Sequence, residues 1–476
     1  MRASHLEEFY ALLRFPSIST DDAYINQVSS CASWLVTKLT AIGLQARSIP
    51  TDGHPIVWAT NEHRAGRRTV LIYGHYDVQP PDPFELWDSP PFTPALRDGV
   101  IFARGSADNK GPIFAHILGL QEMLEETGDL PVNLHLLIEG EEEIGSPNLA
   151  LFLCANREAL RCDVAVVSDT EMVARRTPTL TYGLRGMAGL EIKVCGAKTD
   201  LHSGIFGGAI VNPITALAQL LATLHDRDGR VAIRNFYDRV NPPQDWEREA
   251  WKHYPVDADQ EIVKQAGAAV LFGEAGFSTL ERLWCRPTVE INGISGGSQG
   301  QGTKTVIASR ASAKLTLRLV PEQNADEILP ALKLHLEQHL PRGVMLETIG
   351  EQSGPWFLTN PHSAMGSAAQ RALRTAFNSD AILVRGGGGI PVASDLQRIL
   401  GVETLLMGLA LPDCRWHAPN ENFPLENLDA GILLNQAIMD ELAATHFAGD
   451  FPPARKANES GNTSTVRISA SDIGAR

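Results

Sequence analysis

The sequence predicts an α/β protein with a mostly parallel central sheet flanked by helices, into which a smaller ferredoxin-like α+β unit is inserted. Over residues 1–184, strand-like apolar runs alternate with amphipathic helical patterns, which is typical of a parallel sheet. Residues 185–387 contain strand-like runs that suit antiparallel pairing. The alternation of strands and helices resumes over 388–450. We therefore expect a discontinuous larger domain, an inserted second domain and a disordered polar tail at 451–476.

The first part of the chain supplies most elements of the larger domain. The segment INQVSSCASWLVTKLTAIG has a helical period and ends at Gly43, a typical helix stop. TVLIYGHYD, VNLHLLIEG and CDVAVVSD are strand-like, and the helix GPIFAHILGLQEMLEE, with Pro112 near its first turn, separates the first two. Strands joined in this way pair in parallel, so their carboxyl ends should meet at one edge of the sheet.

The inserted unit changes the pattern after TYGLRG. MAGLEIKVCG predicts a strand and NPITALAQLLATLHD a helix, and an irregular stretch containing Trp and Pro follows to about residue 285. PTVEINGI, TKTVIAS and ASAKLTLRLVP then indicate antiparallel strands, before the helix NADEILPALKLHLEQHL and the strand VMLETIG. VETLLMG and the helix LENLDAGILLNQAIMDELA mark the return to the larger domain.

Composition excludes several classes of protein. The chain has 476 residues, 43% of them hydrophobic and 20% charged, as expected for a soluble protein of two or three domains. The net charge of −15 argues against nucleic acid as a partner, and no apolar run approaches the ~20 residues that span a membrane. The start, MRASHLEEFYALLRF, reads as an amphipathic helix without a signal-peptide core. Six scattered cysteines without a CxxC pair favour reduced thiols and a cytoplasmic location.

Histidine and acidic residues follow several predicted strands or open the next helix. In an open parallel sheet this edge gathers ligands, so these side chains should converge. Histidines mixed with carboxylates suit zinc or manganese better than calcium, which prefers oxygen alone. The residues at this edge are His75, Asp77, Asp108, Glu139, Glu141, Glu142, Glu143, Asp169 and His417.

The charge of this cluster suggests two metal ions. Three ligating carboxylates would offset three of the four positive charges on two divalent ions, and a bridging hydroxide would offset the fourth. In such sites the two ions clamp the attacking oxygen and polarise the bond under attack. A neighbouring carboxylate that binds no metal must then take the proton of the water. Adjacent glutamates in EGEEEIGS could divide these two roles.

The motifs together resemble those of the di-metal aminopeptidase, carboxypeptidase and deacylase family, and most closely its carnosinase-type cytosolic dipeptidases. GHYDVQP, ARGSADNKG, EGEEEIGS, TYGLRG, DLHSGIFGG, LRLVP and GGIPVASD occur in the family's order, from about residue 5 to about 445. The resemblance implies that His75, Asp108 and Asp169 bind one metal. It implies that Asp108, Glu143 and His417 bind the other, with Asp108 as the bridge.

The resemblance also assigns the catalytic residues. Glu142 would be the general base that later returns the proton to the leaving amine, and Asp77 would hold the imidazole of His75 in its ligating tautomer. Glu139 and Glu141 receive no metal role and are expected to cap nearby loops. The metals would be zinc, with manganese or cobalt as alternatives.

The inserted unit would act as a lid and as the dimer contact. His202 in DLHSG would reach the neighbouring protomer's site and stabilise the oxyanion. Arg318 in LRLVP would bind the substrate carboxylate, for which its planar guanidinium is suited. Thr305 and Asn292 are further lid candidates. The expected assembly is a homodimer.

The glycine-rich loop RGGGGIP departs from the resemblance at one position. Gly388 and Gly389 would let backbone approach the substrate, but carnosinase-like members commonly carry serine where Gly389 stands here. The sequence therefore predicts a hydrolase of dipeptides or short peptides that lacks one hydroxyl. Alternatives are an N-acyl-amino-acid deacylase of the acetylornithine deacetylase or succinyl-diaminopimelate desuccinylase type and a non-catalytic metal-binding protein. Asp169 favours substrates with a free amino terminus, because deacylases tend to carry glutamate there.

Overall fold

A computed structural model describes residues 2–445, and the predicted tail at 451–476 lies outside the described residues. The helices are α1 (Ala3–Leu13), α2 (Ile25–Ala41), α3 (Lys110–Thr127), α4 (Leu149–Ala155), α5 (Ser203–Phe206), α6 (Pro213–Ala222), α7 (Asp245–Lys252), α8 (Ala258–Ala266), α9 (Thr279–Cys285), α10 (Ala325–His339), α11 (Ala364–Phe377), α12 (Pro391–Asp395) and α13 (Leu425–Ala444). The strands are β1 (Gln45–Ile49), β2 (Ile56–Thr60), β3 (Thr69–His75), β4 (Ala95–Arg97), β5 (Val100–Phe102), β6 (Asn133–Glu139), β7 (Val164–Val167), β8 (Thr179–Leu184), β9 (Gly186–Cys195), β10 (Leu201–His202), β11 (Thr288–Gly296), β12 (Val306–Ile307), β13 (Arg310–Leu319), β14 (Met345–Gly354), β15 (Phe357–Leu358), β16 (Ile382–Gly386), β17 (Glu403–Met407) and β18 (Asn422–Pro424).

Within residues 2–445, nine strands form one large sheet in the order β1-β2-β6-β3-β7-β17-β8-β15, with β16 paired to β8. Its centre is parallel: β3 pairs in parallel with β6 and β7, and β7 with β17. Side chains of β3 alternate between two cores, because Val70 and Ile72 face one and Leu71 and Tyr73 the other. Helices cover both faces, as the sequence predicted.

The inserted unit is built on a second, antiparallel sheet with the order β11-β13-β9-β14. Apolar side chains of β9 and β13 form its core with α6 and α10, whose buried residues include Leu217, Leu220, Leu332 and Leu336. The alternating burial along β13 explains why its period was legible in the sequence. A mostly parallel α/β domain with an inserted antiparallel α+β unit is thus confirmed.

Two segments differ from the sequence prediction. The stretch predicted as irregular contains α7, α8 and α9, and capping boxes at Gln244 and Ser278 stabilise the starts of α7 and α9. The chain also re-enters the large sheet at Phe357, before the predicted return at residue 388. Both β15 and β16 pair with β8, and α11 packs against α13. The sequence prediction missed these elements because α7–α9 have only seven to nine residues, and β15 and β16 have two and five.

Candidate metal centre and adjoining cavity

The carboxyl edge of the large sheet gathers most of the predicted site residues. His75 is the last residue of β3, and Asp169 follows β7, its parallel neighbour. Asp108 precedes α3, while Glu142 and Glu143 form a short turn after β6. His417 comes from the loop after β17. Because β3, β6 and β7 are adjacent and parallel, residues far apart in the chain meet at one edge.

Two groups of three ligands share Asp108. In the first, His75 Nε2 lies 3.1 Å from Asp108 Oδ1 and 3.8 Å from Asp169 Oδ1. In the second, His417 Nε2 lies 2.9 Å from Asp108 Oδ2 and 3.2 Å from Glu143 Oε2. The ligand atoms of each group lie within 4.8 Å of one another. The two oxygens of Asp108 thus face different histidines, as a bridging carboxylate requires.

Asp77 connects the histidine to the glutamate turn. Its Oδ1 lies 3.3 Å from His75 Nδ1, and it is fully buried. The same carboxylate accepts hydrogen bonds from the backbone amides of Glu142 (3.2 Å) and Glu143 (3.0 Å). A buried carboxylate with these partners fixes the ring orientation of His75 and the start of the turn together.

The four glutamates of EGEEEIGS separate into two pairs. Glu139 is buried and accepts hydrogen bonds from Tyr73 Oη and from Ser146 Oγ, the latter at 2.8 Å. Glu141 accepts from the backbone of His54 at 2.8 Å and from the side-chain amide of Asn148. These two therefore hold nearby loops, as expected. Glu143 belongs to the second ligand group, and Glu142 lines the adjoining cavity without belonging to either group.

Carboxylates surround both histidines at this edge and raise their pKa values. Burial alone would lower the pKa of His75, but hydrogen bonds to Asp108, Asp169 and Asp77 raise that pKa well above its usual value. Hydrogen bonds to Asp108 and Glu143 raise the pKa of His417 to about 10. Burial, joined by the charges of neighbouring carboxylates, raises the pKa of Glu142. So many buried acids in one place favour the binding of a multivalent cation.

His417 occupies an unusual backbone conformation. Its φ angle is 56°, in the left-handed region that non-glycine residues rarely adopt. Arg415 and Asn420 in the same loop also have positive φ. Such a conformation costs of order 1 kcal/mol or more and persists only where its surroundings hold it. Here it directs the imidazole at Asp108 and Glu143.

Sequence reasoning missed the residues that support the ligands. Asn109 donates from Nδ2 to Asp169 Oδ1 at 2.8 Å, and Gln79 donates to Glu143 Oε2 at 2.8 Å. Glu421 accepts from the backbone amide of Asp108 at 3.1 Å. Gln79 lies within the motif GHYDVQP and Asn109 within ARGSADNKG, and Glu421 follows His417 by four residues, so proximity to the candidate ligands was the available signal.

A cavity of about 470 Å³ opens beside the ligands. Its wall contains Asp108, Glu142, Asp169 and His417, so any ligand in it reaches the candidate metal centre. Its lining also includes the aromatic residues Tyr254, Trp284 and Trp416 and the glycines at 386–389. The predicted substrate-binding residues Gly388 and Gly389 are therefore part of this cavity.

Gly389 approaches other backbone closely. A Cβ atom built on it would lie 2.9 Å from the carbonyl oxygen of Arg185, closer than real Cβ contacts allow. A Cβ on Gly388 would meet nothing within 4 Å. Arg185 is buried and donates from Nε to the carbonyl of Gly387 at 3.0 Å. A side chain at position 389 would therefore collide with the backbone of Arg185, and glycine avoids this collision.

The predicted lid residues lie on the inserted unit. His202 is exposed, and its Nδ1 accepts from the amide of Gly204 at 3.0 Å. It pairs with Val306, the neighbour of Thr305, across the β10–β12 ladder. Asn292 accepts from Thr316 Oγ1 at 2.7 Å. Within residues 2–445, neither His202 nor Thr305 lines the cavity beside the metal ligands.

Arg318 does not line the cavity in the described residues, but it lies near Arg185, which contacts the glycine-rich loop of the cavity. It is half-buried on β13, opposite Met187 on β9. Burial, and next the charge of Arg318, lower the pKa of Arg185 to about 10, so the two guanidinium groups are close. Since Arg185 contacts the glycine-rich loop, the inserted unit brings positive charge towards that side of the cavity.

The residues fit two divalent cations. Histidine nitrogens and carboxylates in shared groups of three are ligands for zinc-like ions. Glu143 Oε1 is a buried atom without a hydrogen-bond partner in the described part of the chain, as expected for an oxygen kept for a cation. Two such ligand groups at the carboxyl edge of an α/β sheet, beside a cavity, are typical of metal-dependent hydrolases that use two metal ions.

Comparison with known proteins assigns the family. The family model for peptidase family M20/M25/M40 matches residues 71–441, and the chain belongs to this family. The matched region includes every residue of both ligand groups. It also contains the whole inserted unit.

Several relatives cover nearly the whole chain. The Cys-Gly metallodipeptidase of Schizosaccharomyces pombe is 32% identical over 446 residues, 90% of this chain and 93% of that protein. The Beta-Ala-His dipeptidase of Homo sapiens is 33% identical over 427 residues, 87% of this chain and 83% of that protein. The structure of an M20 family metallo-carboxypeptidase from Sulfolobus solfataricus superposes with a TM-score of 0.82 at 30% identity, covering 93% of this chain and 100% of that one.

Proposed function

We propose that this protein is a metal-dependent dipeptidase that hydrolyses the amide bond of dipeptides or short peptides. The observation that carries the proposal is the pair of ligand groups sharing Asp108, with Glu142 beside them in the wall of a cavity. Two of the relatives described above are named as dipeptidases, which supports this substrate class over N-acyl amino acids.

Five residues would hold the metals. His75 and Asp169 would bind one ion, Glu143 and His417 the other, and Asp108 both. When bound, the two ions would polarise the substrate carbonyl and acidify water. Zinc is the first choice for this ligand set, with manganese or cobalt as alternatives.

Glu142 would be the general base. It is adjacent to a ligand, belongs to neither ligand group and lines the cavity, so it has the position that a proton carrier needs. Its raised pKa favours accepting a proton and then donating it to the leaving amine. Asp77 would position His75 and the turn that carries Glu142.

The inserted unit would complete the site from a second subunit. Exposed apolar side chains adjoin His202 on α5 and its surroundings, and an apolar surface of this kind suits a homodimer. These side chains belong to Ile205, Phe206, Ile210, Val211 and Ile214. In such a dimer His202 would stabilise the oxyanion of the partner's site, and Arg318 would bind the substrate carboxylate. Thr305 and Asn292 are further candidates for contacts to the substrate.

A cytoplasmic location would fit the cysteines. All six have free thiols in the structure, which suits a reducing compartment. Among the residues that the structure describes, no helix has the length and apolar character needed to cross a bilayer.

The substrate class can be tested with paired substrates. Metal-free protein is reloaded separately with zinc, manganese and cobalt, and kcat/KM is compared for Ala-Leu and N-acetyl-leucine. We expect metal-dependent cleavage of Ala-Leu and a preference for it over the acylated compound. The chelated protein is the control. A preference of about tenfold or more for N-acetyl-leucine, about 1.4 kcal/mol in transition-state binding, would identify a deacylase instead. Tight metal binding without hydrolysis of either compound would support the non-catalytic alternative.

A further inference from the structure

Glu171 is an acidic residue of the cavity for which the proposed reaction has no use. It lies two residues beyond Asp169, is exposed, and lines the same cavity as Glu142. Within residues 2–445 its carboxylate has no hydrogen-bond or ion-pair partner. Its backbone is held by a bridge to Ala410, so the position is fixed although the side chain is free to contact a ligand.

A second polar group beside it is also without a partner. Thr170 is only 7% exposed and lines the cavity, and its Oγ1 is buried without a hydrogen bond in the described chain. A buried hydroxyl that makes no hydrogen bond is costly, unless a ligand supplies the partner. The hydroxyl of Thr170 and the carboxylate of Glu171 are both acceptors, so together they suit a group that carries several N–H donors.

The charges of the residues that line the cavity indicate that the ligand of Glu171 is positively charged. Asp108, Asp169 and Glu143 would offset three charges of two divalent ions, and a bridging hydroxide the fourth. Glu171 then adds a negative charge that the cavity does not balance. Arg385 lines the cavity, but it is already paired with the buried Glu247.

The surroundings of Glu171 favour a side-chain cation over the α-ammonium of the substrate. The α-ammonium is two bonds from the reacting carbonyl carbon and so must lie beside the metal ligands. Glu171 lies close to Tyr254, because burial, and then the charge of Glu171, raise the pKa of Tyr254 to about 12. Tyr254, Trp284 and Trp416 offer apolar and π surface for a long aliphatic stem and its charged end.

We propose that Glu171, assisted by Thr170, binds the ammonium or guanidinium group of a lysine-like or arginine-like side chain in the substrate. This inference rests on the proposed dipeptidase function and adds a specificity to it. A charge-assisted hydrogen bond of this kind should contribute about tenfold or more in kcat/KM.

The test compares substrates that differ only in the terminal charge. Lys-Leu is compared with norleucyl-leucine, and Leu-Lys with leucyl-norleucine, using the metal-loaded full-length protein. We expect wild type to prefer the lysine compound of at least one pair by about tenfold or more. Glu171→Gln should reduce that preference to near unity and leave kcat/KM for the norleucine compounds within about twofold. Glu171→Lys should turn the preference towards Glu-Leu or Leu-Glu.

Other outcomes separate this inference from the proposed function. Hydrolysis of the norleucine compounds by wild type, without preference for lysine in either pair, would overturn the inference alone. An equal loss on all four compounds in Glu171→Gln would also overturn it, because Glu171 would then act on a feature that they share. Calorimetric binding of each pair to Glu142→Gln provides a readout that does not need turnover, and it should show the same difference in affinity.

Discussion

Glu421 and Arg104 form a buried ion pair, with 2.7 Å between Glu421 Oε2 and Arg104 Nη1 and at most 1% exposure of either side chain. The carboxylate of Glu421 also accepts the backbone amides of Gly105, Ala107 and Asp108 at 2.9–3.1 Å. Glu421 follows the loop that carries His417, whereas the three amides belong to the loop that presents Asp108. This residue thus joins the two loops that form the second ligand group.

Replacing Glu421 should weaken metal binding. Glu421→Gln keeps the shape but removes the charge, leaves Arg104 uncompensated in the interior and releases part of the loop around Asp108. We expect a loss of about 10–100-fold in metal affinity, as is usual for residues that orient ligands. Affinity is measured by competition with a chelator, and folding by circular dichroism.

The matched control is Glu426→Gln, which removes a glutamate paired with Arg175 and Arg176 on the surface. Exposed pairs contribute little, so this variant should bind metal like wild type. Equal metal affinity of Glu421→Gln and wild type would show that the Asp108 loop holds its position without Glu421.

Glu142 and its neighbour Glu141 should differ in their effect on kcat when each is replaced by glutamine. Glu142→Gln should retain metal near the wild-type content while kcat falls by about 10²–10⁴-fold, the usual scale for a general base. Glu141→Gln should retain kcat within a few-fold, because Glu141 binds His54 and Asn148 rather than the metal ligands. Metal content by mass spectrometry and kcat per bound metal distinguish the two. Loss of metal in Glu142→Gln, with normal activity per remaining metal, would exchange the roles of Glu142 and Glu143.

The glycine-rich loop permits a comparison of neighbours. In Gly389→Ala the new methyl group would lie 2.9 Å from the carbonyl oxygen of Arg185, so the loop must shift. Gly388→Ala adds the same group to open space. Because small displacements in a reacting geometry are costly, we expect Gly389→Ala to lower kcat/KM by about tenfold and Gly388→Ala to remain near wild type. Similar kinetics for both variants would mean that the loop adjusts freely.

The candidate metal ligands could be predicted from the sequence because each lies at or beside the end of an element whose pattern is clear. β3, β6 and β7 are rich in apolar residues and almost wholly buried, and the rule for parallel sheets places their carboxyl ends together. Recognition of the motifs then separated Glu142 and Glu143 from Glu139 and Glu141. The periodicity alone would not have made that distinction, because all four glutamates follow the same strand.

Residues that act through tertiary contacts were not predictable in this way. Glu421 lies in a loop shaped by positive φ angles at His417 and Asn420, which no periodic pattern reveals. Glu171 and Tyr254 come together because the segment of α7–α9, short helices of seven to nine residues, packs near the large sheet. The early return at Phe357 was also hidden, since β15 has only two residues.

Acid should destabilise the protein through a buried histidine. His116 is completely buried between Ser168 and Asn435, and burial lowers its pKa to about 4 from an unfolded value near 6.5. The unfolded chain therefore binds a proton at a higher pH than the folded chain does. The contribution of His116 to stability should be constant above pH 6.5 and fall by up to about 3 kcal/mol as the pH decreases to 4.

The check is thermal unfolding of metal-free protein between pH 4 and 7.5, for wild type and His116→Gln. The variant should have a lower Tm near neutrality but a shallower decline with acid. The exposed His253 provides the control, because His253→Gln should leave the wild-type slope unchanged. Parallel profiles for wild type and His116→Gln would exclude His116 as the source of acid sensitivity.

Complementation between subunits should reveal whether His202 acts in the partner's site. His202 is exposed and distant from the local cavity wall, so His202→Ala should fold normally and yet be inactive if the oxyanion is stabilised from the other protomer. Glu142→Gln should be inactive for a different reason, the loss of the base.

In a mixed dimer one site contains both wild-type groups and the other contains neither. Random mixing in equal amounts should therefore restore about a quarter of the wild-type activity, since half the dimers are mixed and half their sites are intact. Subunit exchange is verified with two affinity tags, and each variant mixed with itself is the control. If tagged subunits exchange and activity does not return, His202 acts within its own chain or has no part in the reaction.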